Sequence, residues 1–186
     1  MHYSLPYYTQ EGYLQTAEVD IQAGQKAFQI TPFHFRRISK KHYLLLADLI
    51  IWDGENIRLL RRGFGCNGIS VPDPLDFYVE RDDYLIAAFF HDADYLYHGG
   101  LIWRGAWVWF LVNKNYADRH LQESIHELYG VRWTKTFVIW FSVRVGGLYS
   151  YYWGTCNWNC EKCKWRKTMG CPYTFRHAPT TFGELK

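Results

Sequence analysis

Four side chains have the types and spacing to do acid–base chemistry. His91 and Asp92 are adjacent, Tyr95 follows the histidine by four, and Asp118 lies further along the chain. Residues four apart share one side of a helix. Ala87–Tyr97 reads as such a helix, so His91 lines up with Ala87, Ala88 and Tyr95, and Asp92 with Leu85, Phe89 and Leu96. An imidazole and a carboxylate on the apolar side of a helix are costly to bury without partners. A neutral imidazole can take a proton from water near neutral pH, and a carboxylate on its other nitrogen fixes the tautomer. Such a pair serves equally as a satisfied polar contact between helices.

Those residues need elements to hold them. Residues 81–98 are expected to form the central helix, with Asp82 and Asp83 in its first turn, where carboxylates suit the dipole, and Gly99-Gly100 ending it. A second helix over residues 115–129 ends at Gly130. Asp118, Leu121, Gln122, Ile125 and Leu128 share its apolar face, so Asp118 points inward and needs a donor, for which His91 is the obvious candidate. Arg119, Glu123 and Glu127 lie on other faces, and His120 and His126 are expected at the surface. A third, aromatic helix over residues 132–153 is expected to break at Gly146-Gly147, with Arg144 paired to a carboxylate.

Ahead of the helices, Tyr43–Trp52 reads as one strand, Asp53-Gly54 as a turn and Ile57–Leu60 as the returning strand of a hairpin. Residues 1–40 suggest short strands or irregular structure ending in a solvated basic patch. The glycine-rich run from Gly63 to Pro74 can turn carbonyl oxygens inward, as hard cations require, or can simply connect a strand to a helix. Between the first two helices, Leu101–Val112 is an aromatic insertion. Its Trp103, Trp107 and Trp109 could pack on the core or form a lid or an edge that meets a lipid membrane surface.

The fold class is therefore α+β, with a β-rich part over 1–72 and a helical part over 81–153 of a single domain spanning 1–154. The 186 residues suit one domain with a small appendage. A net charge of +3 makes the chain as a whole a weak magnet for nucleic acid. Residues 155–186 are different: six cations against Glu161 and Glu184 leave that tail at +4. Cys156, Cys160, Cys163 and Cys171 in this tail are spaced C-x3-C-x2-C-x7-C. Four thiolates could hold a structural zinc, with disulfides and free thiols as the alternatives, and the basic residues could touch nucleic acid or anionic lipid. The start of the chain shows no signal-peptide pattern and no run of about 20 apolar residues occurs, so no membrane span is expected.

The motifs in order resemble a known family. Gly63-Phe64 with Cys66-Asn67-Gly68-Ile69-Ser70-Val71-Pro72 is similar to the "GF-x-TDGASIP" signature of a phage and prophage family catalogued as a domain of unknown function. Ala87–Tyr95 resembles that family's "AA-x-x-HDYLY" helix, Ala117–Leu121 its "AD-x-x-F" helix, and Val143–Gly147 its "V-R-x-x-G" element. The resemblance spans about residues 43–150 and implies a phage setting: host cytoplasm or virion, with phage or host proteins as partners. A more distant likeness is to phospholipases A₂. It implies His91 as the base, Asp118 as the carboxylate that orients it, Tyr95 as a donor to Asp118, and a calcium ion on Asp92 with loop ligands among Phe64, Gly65, Asn67 and Gly68. Asn67 stands where the phage family has aspartate, which removes a charge from any such metal site. These resemblances imply a hydrolase acting on phospholipid esters or, with the same layout, on another ester, amide or phosphodiester, with a non-catalytic phage structural or interaction protein as the alternative.

Overall fold

The structure is a computed structural model. It describes residues 1–39, 42–69, 79 and 82–152, the last seven as backbone. The fold is α+β, with ten strands and three helices among the described residues. The expectations for Cys156, Cys160, Cys163 and Cys171, for the basic tail and for Ser70–Pro74 lie outside the described residues.

The central layer is an antiparallel sheet of five strands. In spatial order these are β10 (Trp107–Leu111), β9 (Gly99–Trp103), β7 (Ile57–Leu60), β6 (Leu49–Trp52) and β3 (Phe28–Gln29). Alternation along the strands sorts the side chains between two cores. Ile50, Ile57, Leu59, Leu101 and Trp107 face an N-terminal hairpin made of β1 (His2–Tyr8) and β2 (Leu14–Asp20). Leu49, Ile51 and Leu60 belong to the larger core, shared with the helices. A third sheet joins β4 (Phe35–Ser39), β5 (His42–Leu45) and β8 (Gly65–Cys66).

The turn at Asp53-Gly54 forms as expected. The Asp53 carboxylate accepts the Glu55 and Asn56 amides, and Gly54 takes φ +96°. The single strand expected over Tyr43–Trp52 is instead two strands in two sheets. The chain breaks at Asp48, whose buried carboxylate accepts the Tyr8 and Arg62 amides at 2.9 Å and pairs with Arg61. Backbone donors must be satisfied wherever a chain leaves a ladder, and Asp48 does this from a side chain.

The helices are α1 (Leu85–Tyr97), α2 (Lys114–Tyr129) and α3 (Trp133–Tyr152). Helix α1 starts later than expected. Asp82 and Asp83 precede it, and Asp82 accepts the Tyr43 hydroxyl and pairs with Arg37 instead. It ends on His98 in the left-handed region rather than on the glycine pair, which opens β9. A Cβ on Gly99 would stand 2.5 Å from the Phe110 carbonyl, so close strand packing explains the glycine. Asn113 caps α2 through the Tyr116 amide, and Gly130 closes it at φ +66°. Helix α3 runs through Gly146-Gly147 without the expected break.

Candidate functional site

Helices α1, α2 and α3 bring His91, Tyr95, Lys114, Asp118 and Arg144 together. Asp118 is the hub. Its Oδ1 accepts the Tyr95 hydroxyl, and its Oδ2 accepts Lys114 Nζ at 2.6 Å and the Arg144 guanidinium at 3.2 Å. The Nε2 of His91 faces Oδ1 at 3.5 Å, a contact too long to count as a closed hydrogen bond. On its other side, His91 Nδ1 stands 4.0 Å from Asp92 Oδ1. The imidazole lies against the Tyr95 ring with centroids 4.1 Å apart. The expected face of α2 holds: Asp118 is fully buried and points inward.

Burial pushes the Asp118 carboxyl up, but His91, Lys114 and Tyr95 together outweigh it and hold the group below its ordinary value. Asp118 is therefore an anion at neutral pH. Lys114 sits in the first turn of α2, where a cation opposes the helix dipole. It is held there by Asp118 one turn on and by the Arg144 carbonyl at 3.1 Å. Arg144 also donates to Asn115 at 2.8 Å and lies over the Trp140 ring. Its side chain is 39% exposed, which makes it the open edge of the cluster, whereas His91 keeps 8%.

The glycine-rich loop does reach this region. The Asn67 amide donates to Asp92 Oδ2 at 3.1 Å, and the Gly68 amide donates to the buried Cys66 sulfur. Gly65 pairs with Leu44 in the ladder of β5 and β8, and the Phe64 carbonyl accepts the Leu45 amide. Calcium takes six to eight oxygens. Here Asp92 already accepts a loop amide, and among the described residues no group of three His, Cys, Asp or Glu could hold a metal ion. Lys114 and Arg144 are the cations placed beside Asp118.

A second buried polar cluster was not foreseen. On the helix side of the sheet, Arg58 of β7 is bonded to Asp94 of α1 and stands 3.1 Å from His120 Nδ1. The Nε2 of His120 faces Asp53 Oδ2 at 3.2 Å. Arg58, Asp94 and His120 are all buried, which corrects the surface position expected for His120. His126 is also partly covered, with Nδ1 against the Val131 carbonyl. Helix α2 is buried on two sides, against α1 and α3 and against the sheet, so its inward arc is wider than a single stripe. Burial pushes Asp53 up, and His120 and Arg58 more than reverse it. Burial also raises the Tyr116 phenol beside this cluster to about 12.

The tryptophans of the aromatic insertion face the hairpin-side core. Trp107 is enclosed and donates to the Pro6 carbonyl, and Trp103 and Trp109 pack partly buried against the same cluster. Trp107 therefore has no face to offer a membrane. The one site residue missed outright by the sequence reading is Lys114, although its spacing of four from Asp118 on one helix was a usable signal.

No protein-family profile matches the chain, and no curated protein and no solved structure matches it either.

Proposed function

We propose that the protein is a hydrolase of phospholipid esters in which His91 is the general base. The observation that carries this reading is the placement of His91 between two carboxylates, with Nε2 toward an Asp118 that Tyr95 and Lys114 hold still. With the proton on Nε2 facing Asp118, Nδ1 keeps a lone pair. It takes a proton from water as the oxygen attacks the ester carbonyl. It returns that proton to the departing alkoxide, so that ester and water become acid and alcohol. Asp118 orients the ring and stabilises the imidazolium as it forms. Arg144, the exposed cation of the cluster, suits the phosphate of the substrate.

A second reading keeps the same residues as a lock between the three helices of a non-catalytic phage structural or interaction protein. The near-complete burial of His91 and the cations on Asp118 favour it. Fatty-acid release from phospholipid vesicles separates the two. The hydrolase reading expects release that disappears in a folded His91→Gln variant; the lock reading expects none from the wild type.

A further inference from the structure

The outer side of α3 is apolar, and among the described residues nothing covers it. Trp133, Phe137, Phe141 and Val145 are spaced by four and are each 50–57% exposed. The stripe runs about 18 Å at the rise of an α-helix. Its rings form one surface: Phe137 lies against both Phe141 and Trp140, and Arg144 lies over Trp140. The inner side is apolar too, with Ile139 and Val143 in the larger core. A helix that is apolar all round is ordinarily buried on every side. Among the described residues this one is covered on one side only.

We propose that this face of α3 docks the protein on an anionic phospholipid surface. Charge selects that occupant. The helix carries two charged residues, Lys135 and Arg144, both cations, and no carboxylate; Arg132 lies just ahead of its start. Lys135 lies over Tyr84 of the core, so the cations beside the stripe are Arg144 and the exposed Arg132. Half-exposed Trp and Phe beside Arg suit a helix lying in a lipid interface: rings enter the acyl boundary and cations meet headgroup phosphates. The helix lies on the membrane rather than through it, since no described helix is long and apolar enough to cross one. The aromatic surface that meets lipid is thus α3, while the tryptophans of β9 and β10 serve the core. The proposal goes beyond the hydrolase reading and does not depend on it.

The test is flotation of the full chain with vesicles of phosphatidylcholine alone and of phosphatidylcholine containing phosphatidylglycerol. The chain is expected to float with the anionic vesicles, less so at high salt. Phe137→Ser with Phe141→Ser should weaken that binding about tenfold or more, without a drop in melting temperature, because both side chains are half-exposed. His91→Gln should bind as the wild type does. Binding without ester hydrolysis would uphold this proposal while rejecting the hydrolase. The proposal is overturned if the wild type does not float with anionic vesicles or if the double variant floats as well as the wild type. It is also overturned if the stripe holds two copies together, seen as a dimer that does not float and that the double variant dissolves.

Discussion

Among the described residues, two His–Asp pairs have both side chains buried, and they are built differently. His120 and Asp53 stand 3.2 Å apart, both nearly without exposure, beside the Arg58–Asp94 ion pair at 1% and 0%. His91 and Asp118 stand further apart, at 3.5 Å, but their cluster opens to solvent through Arg144 and Asp92. The closer contact belongs to the pair beside the Arg58–Asp94 ion pair, and the two imidazoles are almost equally covered, at 6% and 8%. Proximity of an imidazole to a carboxylate says little about chemistry. What separates the pairs is what surrounds them and what faces the second nitrogen. His120 Nδ1 is covered by Arg58 and Ser124, whereas His91 Nδ1 faces only a partly exposed carboxylate 4.0 Å away.

Breaking the sealed cluster should cost most. Asp94→Asn leaves Arg58 buried against one less carboxylate and should destabilise the fold by about 3–5 kcal/mol in chemical denaturation. Arg58→Met combined with Asp94→Leu should cost less than Asp94→Asn alone, because an apolar pair leaves no orphaned charge there. A double variant less stable than the single would mean that the ion pair itself supplies net stability. Gly100→Ala bears on the same place, since a Cβ there would stand 3.1 Å from Arg58. Asp118→Asn comes next, at about 2–4 kcal/mol, because Lys114 loses its buried counter-charge while Arg144 can turn to water.

Acid sharpens the contrast. Asp118 has a lowered folded value, so its contribution is present above the ordinary carboxylate range and is lost as pH falls through that lowered value. Asp118→Asn should flatten the acid limb of a stability–pH curve; an unchanged limb would mean that His91, Lys114 and Tyr95 do not bias its titration. The smallest effect on stability belongs to His91→Gln, within about 1 kcal/mol, because the ring makes no closed hydrogen bond to Asp118. A larger loss would favour the lock reading.

The inward Asp118 was legible because Leu121, Ile125 and Leu128 recur on its helical face, and the hairpin turn because Asp53-Gly54 carries its own local hydrogen bonds. The sealed cluster was not. Arg58 lies within the apolar strand Ile57–Leu60 and is internal only because Asp94 arrives from a helix distant in sequence. The Asp48 break has the same origin, since its partners Tyr8, Arg61 and Arg62 are brought to it by tertiary packing. The glycine pair after α1 reads locally as a helix stop, yet its use is clearance for Phe110 and Arg58. Local rules found what local contacts determine and missed what the sheet and helices impose on each other.

The comparison of the two histidines reduces to one measurement: the initial rate of fatty-acid release from mixed phospholipid vesicles by the wild type, His91→Gln and His120→Gln, normalised to folded protein. With His91 as base, His91→Gln loses about 10²–10⁴ of the rate while His120→Gln keeps it. Equal rates in all three, or no release by a folded wild type, would contradict the assignment and leave Asp118 and its partners as a lock between helices.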